Sequence, residues 1–208
     1  MKKHIRKQIP LKAPYEEYAR VRNEDAVEGF EILKENMPEI REIFRVQLDK
    51  PGHVYREFAT EEIIKYLYQN RIDKMEKGGV PEHFYWDYMY ARTLYELADI
   101  IKAVNDEDEK AFDEAMKVLP WGDSNTGDQL SWNTATFAYA IMSDEARERF
   151  GSLFYKYVEQ SNMGRNNPDA KIEEMAELGF LPELVEFNQE TAKEIKSMKK
   201  PSQPGEEQ

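Results

Sequence analysis

Cysteine is absent from this 208-residue chain, which excludes disulfides, thiol nucleophiles and every thiolate metal site. Histidine is nearly as scarce. The three, His4, His53 and His83, show no H-x-x-x-H or E-x-x-H spacing, so zinc and ferritin-like di-iron sites lack their usual ligands. Long apolar runs are missing as well. None approaches the roughly 18 residues that span a bilayer, and the basic stretch Met1 to Lys12 is not followed by the apolar segment of a signal peptide. A cytoplasmic protein is expected. Positive charge is in deficit, with 29 Lys and Arg against 41 Asp and Glu and a formal net charge of -12. Nucleic acids and anionic membranes are therefore not expected partners. No G-x-S-x-G elbow or G-x-x-x-x-G-K phosphate loop occurs.

Aromatic residues are plentiful, with 12 Tyr, 10 Phe and 3 Trp, enough to build a core and too many for a disordered chain. Helix punctuation is dense. Pro14 opens a helix carrying Tyr15, Tyr18 and Val21, Asn23 caps a second with Val27, Phe30 and Leu33, and Pro38 starts a third with Ile40, Ile43, Phe44 and Leu48. His53 to Ala59 is the least helical stretch and is read as extended. Thr60 then caps a helix with the stripe Ile64, Leu67, Tyr68, Ile72 and Met75, ended by Gly78 and Gly79.

A long helix over 82–104 follows, with Phe84, Tyr88, Ala91, Tyr95, Ala98 and Ile101 on one face, and its wide apolar surface marks it as central. Asn105 to Asp108 makes a turn and cap before an antiparallel return helix bearing Ala111, Phe112, Ala115, Val118 and Leu119. Pro120 to Leu130 reads as a polar loop, followed by helices over 132–142 and, after Ser143, over 144–160. Two more open at Pro168 and Pro182. The fold class predicted is all-α, an irregular multi-helix bundle of about eight to nine helices. A basic flexible arm, 1–13, precedes a single helical domain, 14–196, and a disordered tail, 197–208.

Four aromatics are candidate interaction residues. Trp86 and Tyr90 lie one turn apart in the run Phe84 to Tyr90 and fall on a second face of the long helix, which needs a partner. Trp121 and Trp132 flank the polar loop and either line a cleft or pin that loop to the body. The oxygen-rich string Asp123 to Asp128 does not fit a calcium loop, because the positions that require Gly and Glu hold Asp128 and Thr134. Asx turns and a helix cap account for it.

Glu96 and Asp99 stand three residues apart, so both carboxylates can share one helix face and a hard cation. The string Tyr95-Glu96-Leu97-Ala98-Asp99-Ile100-Ile101 resembles the second acidic motif of the all-α, MazG-like nucleotide pyrophosphohydrolases. That resemblance implies Mg²⁺ held by Glu96 and Asp99 together with acids from a preceding helix, for which Glu61 and Glu62 are the candidates. Lys65 stands where the family has a third acid there. The same spacing also fits a solvated helix face.

Two functions follow as expectations. The first is a non-enzymatic helical adaptor or regulatory protein, of the accessory kind common in bacteria and phages, that binds another macromolecule and needs no cofactor. A protein partner is expected, and homodimerisation is compatible with a helix apolar on several faces. The alternative is a Mg²⁺-dependent pyrophosphohydrolase.

Overall fold

The computed structural model describes residues 1–10, 12–51, 54–80, 83–122, 125–158 and 182–198. Every regular element among them is helical, as expected. They are α1 (Tyr15–Leu48), α2 (Val54–Ile64), a π-helical segment (Lys65–Gln69), α3 (Asn70–Glu76), α4 (Phe84–Ala91), α5 (Thr93–Asn105), α6 (Glu109–Lys117), α7 (Asn125–Ile141), α8 (Asp144–Val158) and α9 (Pro182–Ser197). Because α2 runs through the π segment into α3, and only Arg92 separates α4 from α5, these make seven rods among the described residues. The expected helix from Pro168 and the tail beyond Met198 lie outside the described residues, as does His53. Among the described residues, no helix is long and apolar enough to cross a membrane.

The count departs from eight or nine chiefly because three expected helices are one. α1 has 34 residues and is therefore about 50 Å long. Asp25, expected beside a cap at Asn23, is buried and turned towards His4 instead. Pro38 sits inside the helix. Its own ring faces solvent, while Met37, Ile40 and Phe44 are buried around it, so apolar burial offsets the roughly 3 kcal/mol that an interior proline costs.

The stretch from Val54, expected to be extended, is the first part of α2. Thr60 is a buried interior residue of that helix rather than its cap. The stripe beyond it is buried as expected, and the wider π turn lets three consecutive residues, Tyr66, Leu67 and Tyr68, all face inward. Gly78, at φ 74°, ends the run, with the Gly79 amide donating to the Lys74 carbonyl at 2.9 Å.

The expected central helix is divided. The Thr93 hydroxyl donates to the Tyr90 carbonyl at 2.6 Å, competing for backbone that an unbroken helix would use. The second half is central nonetheless: nine of the thirteen residues of α5 are buried, and it packs on α1, α6 and α7. Asp108 caps α6 by accepting from the Ala111 amide at 2.9 Å, and Ser143 caps α8 by accepting from Ala146 at 3.1 Å. Val118, expected inside, lies past the end of α6 and is 74% exposed, and Met116 takes the buried place.

Polar side chains tie these rods together. Gln47, fully enclosed at the end of α1, donates to Asn105 Oδ1 at 2.6 Å and accepts from the Ser143 amide at 3.1 Å. Asp113 on α6 binds Lys117 at 2.5 Å, Lys156 of α8 at 2.7 Å and the Tyr157 hydroxyl.

The basic arm, expected as a solvated tail, is held against α1, α4 and α5. The Asn36 side chain donates to the Lys2 carbonyl at 2.6 Å and accepts from the Lys2 amide at 3.2 Å, a two-point pairing that mimics a strand partner. His4 is buried between Asp25, 3.2 Å from its Nε2, and the Tyr88 hydroxyl, 2.9 Å from its Nδ1. Lys3 bonds Asp99. Cations of the arm meet acids of the body, Lys3 at Asp99 and Lys7 at Glu28, the latter 2.9 Å away.

Candidate functional site

An aromatic face forms where the start of α1 meets α4. Tyr15, Tyr18 and Arg22 are spaced three and four residues apart and so share one side of α1. Tyr85 and Trp86 reach the same place from the first turn of α4, packed edge to face with centroids 5.3 Å apart. The Arg22 guanidinium carbon lies 3.4 Å from the centroid of Tyr85, 5.0 Å from that of Tyr18 and 5.6 Å from that of Trp86. Three rings thus surround one cation, whose charge they stabilise through their negative faces. Trp86 stays 50% exposed and Tyr15 75%.

Hollows flank these rings. One, of about 500 Å³, lies between Tyr18, Arg22, Tyr85 and the arm residues Arg6 and Lys7. Another, of about 520 Å³, lies beyond Trp86 and is lined by Lys74, Lys77 and Val80. The two acids at their edges are engaged: Asp25 accepts from the Lys7 amide at 2.9 Å, and Asp87 pairs with Arg71 at 3.1 Å. Two of the cations are engaged as well, Lys7 with Glu28 at 2.9 Å and Lys74 with Asp87 at 4.0 Å, but the lining of the hollows holds more cations than acids, on a chain of net charge -12.

Of the four aromatics picked out from the sequence, Trp86 alone stands at this face. Tyr90 is half-buried, with its ring 5.0 Å from the Arg71 guanidinium, and burial pushes its phenol up. Trp121 stacks on Tyr157 with centroids 6.1 Å apart and donates from Nε1 to the Met116 carbonyl at 2.8 Å, so it pins the chain rather than lining a cleft. Trp132 is fully buried and cannot meet a partner. The reason is that α7 begins at Asn125, within the supposed loop, and every residue from Ser131 to Ser143 is buried. Asp128 belongs to its first turn and accepts from the Gly122 amide, six residues earlier, at 3.0 Å, a bond that is not an Asx turn, while Asp123 and Ser124 lie outside the described residues.

The residues missed were Tyr15, Tyr18, Arg22 and Tyr85. Their spacing on α1 was visible, but Tyr15 and Tyr18 look like core residues until the other side of the helix is seen to be the buried one.

The four acids are not brought together. Asp99 bonds Lys3, Glu61 bonds Arg41, and Glu62 faces Lys65 at 3.6 Å. Glu96 lies 3.7 Å from Arg92, its Oε2 is buried without a hydrogen-bond partner, and burial pushes its carboxyl up. Among the described residues, no group of three or more Asp, Glu or His is placed to hold a metal ion. Polarising a phosphoryl group with a metal needs such a set of ligands.

Compared with family models, curated proteins and solved structures, the chain matches none.

Proposed function

We propose that this chain is a non-enzymatic adaptor or regulatory protein that binds a protein partner through Tyr15, Tyr18, Arg22, Tyr85 and Trp86. The distribution of exposed aromatics carries the reading. Among the described residues, the exposed large apolar side chains include three aromatics, Tyr15, Tyr18 and Trp86, and all three lie on this face. Trp, Tyr and Arg are the residue types that dominate binding energy at protein interfaces. Arg22, already held among rings, loses little further freedom on association.

The lysines and arginines around the rings suit a partner that presents carboxylates beside apolar side chains. Phosphate backbones are disfavoured by the acidity of the remaining surface. On this reading the other helices form an irregular bundle that holds α1 and α4 in register, and the protein acts in the cytoplasm.

The test compares wild type with Trp86→Ala and Tyr18→Ala in quantitative affinity capture, beside size-exclusion chromatography for self-association. Circular dichroism establishes that each variant folds. Loss of a hot-spot aromatic should weaken capture, or a homodimer, by roughly thirtyfold. Partners and oligomeric state unchanged in both variants would overturn the proposal.

A further inference from the structure

A second site adjoins the aromatic face, sharing Arg6 with one of its hollows, in a cavity of about 260 Å³ between α5, the segment after α6 and the first turns of α7. That volume is below the range that drug-sized ligands occupy and suits a small metabolite.

Its buried wall offers acceptors and few donors. The Thr93 hydroxyl donates to the Tyr90 carbonyl at 2.6 Å, Ser131 to the Gly127 carbonyl at 2.9 Å and Thr134 to the Leu130 carbonyl at 2.8 Å. With each hydroxyl hydrogen committed to backbone, these oxygens have only lone pairs left for a ligand. Glu96 adds a carboxylate whose Oε2 is buried and accepts no hydrogen bond. A desolvated acceptor without a donor is costly, and a donor-rich ligand group relieves that cost.

The rest of the lining completes the pattern. Arg92, near Glu96, and the exposed Arg6 of the arm give the cavity two cations against one carboxylate. Leu119, Pro120 and Leu130 supply an apolar wall. A ligand satisfying all three features carries an ammonium for the acceptors, a carboxylate for the arginines and a compact apolar body.

We propose that this cavity binds a free α-amino acid with an apolar side chain, its ammonium on Glu96 and the hydroxyl oxygens, its carboxylate on Arg92 and Arg6. The three hydroxyl oxygens and Glu96 Oε2 give four acceptors, enough to receive all three hydrogens of a primary ammonium. The guanidinium groups supply the forked donors that a carboxylate accepts.

Isothermal titration calorimetry on the full chain tests this with four probes: leucine, leucine methyl ester, 4-methylpentanoate and glycine. Leucine should bind with millimolar affinity or better. The ester lacks the anion, the acid lacks the ammonium and glycine lacks the apolar body, and each should bind at least about tenfold more weakly. Glu96→Gln keeps the shape and removes the charge, so it should fold at least as stably as wild type while losing leucine affinity by about tenfold or more.

No leucine binding in the millimolar range refutes the site. Equal binding of leucine by Glu96→Gln refutes the role of the carboxylate, and equal binding of the ester or the acid refutes the zwitterion. Trp86 and Tyr18 do not line this cavity, so its failure leaves the interaction face standing.

Discussion

Replacing Gly29 by alanine separates two effects of opposite sign. In an exposed helix interior the change stabilises by about 1 kcal/mol, because glycine is the more flexible residue in the unfolded chain. Gly29, however, is buried on α1, and a Cβ built there lies 2.2 Å from Cζ of Tyr88 and 2.5 Å from its Cε2. The tyrosine has nowhere to go. Its ring meets Phe30 edge-on at 5.4 Å and His4 at 5.4 Å, and its hydroxyl holds His4 Nδ1 at 2.9 Å. Overpacking of this kind costs about 1–3 kcal/mol, and displacing the ring also gives up a buried hydrogen bond of about 1 kcal/mol.

The net expectation is a loss of about 1–3 kcal/mol. At roughly 2–4 °C per kcal/mol for a chain of this size, the melting temperature should fall by about 2–12 °C. Thermal and urea denaturation followed by circular dichroism measure it. In a double-mutant cycle with Tyr88→Leu, the Gly29→Ala penalty should shrink or reverse, giving a coupling of about 1–3 kcal/mol. Because Tyr88 also anchors the arm, amide exchange at Lys2 and Lys7 should quicken in Gly29→Ala. A melting temperature at or above that of wild type would refute the packing argument.

Two further outcomes follow. Pro38→Ala removes an exposed ring and restores an amide donor inside α1, so stability should rise by about 1–3 kcal/mol in chemical denaturation, and a loss would mean the proline serves the packing. Asp113→Asn probes a pH dependence. Hydrogen bonds from Lys117, Lys156 and Tyr157 hold the Asp113 carboxyl well below the usual 3.8, so its stabilising effect is present above that value and is lost as pH falls through the lowered folded-state pKa. The variant should be less stable than wild type at neutral pH, by about 1 kcal/mol once solvent screening is allowed for, and the gap should close in acid. A gap constant with pH would show that the carboxylate charge plays no part.

Where local chemistry decides an element, the sequence was readable. Asp108 and Ser143 cap the helices they were expected to cap, Gly78 stops α3, and the stripe Ile64 to Ile72 is buried. The errors fall where tertiary contacts override local signals. Pro38 looks like a boundary, but the buried residues on both sides of it belong to one face. Ser131, Asn133, Thr134 and Thr136 are polar, yet all are buried. Hydroxyls that bond back to the carbonyl three or four residues earlier let a polar-looking segment enter the core. The aromatic face was half legible. Trp86 stood out by composition, whereas Arg22 becomes notable only when Tyr85, far along the chain, is folded over it.

The length of α1 bears on how the protein is made. Leaving the ribosome before α2 to α9, it presents Phe30, Leu33, Ile40 and Phe44 on one apolar side before the helices that cover them exist. Asn36 waits for Tyr95, its hydrogen-bond partner 59 residues later. At about 5–20 residues per second that interval is roughly 3–12 s, long enough for chaperones to engage a nascent amphipathic helix. Pausing within the codons for α2 and α3 would lengthen the exposure, and the arm that pairs with Asn36, although synthesised before α1, can close fully only after α4 has arrived to receive His4.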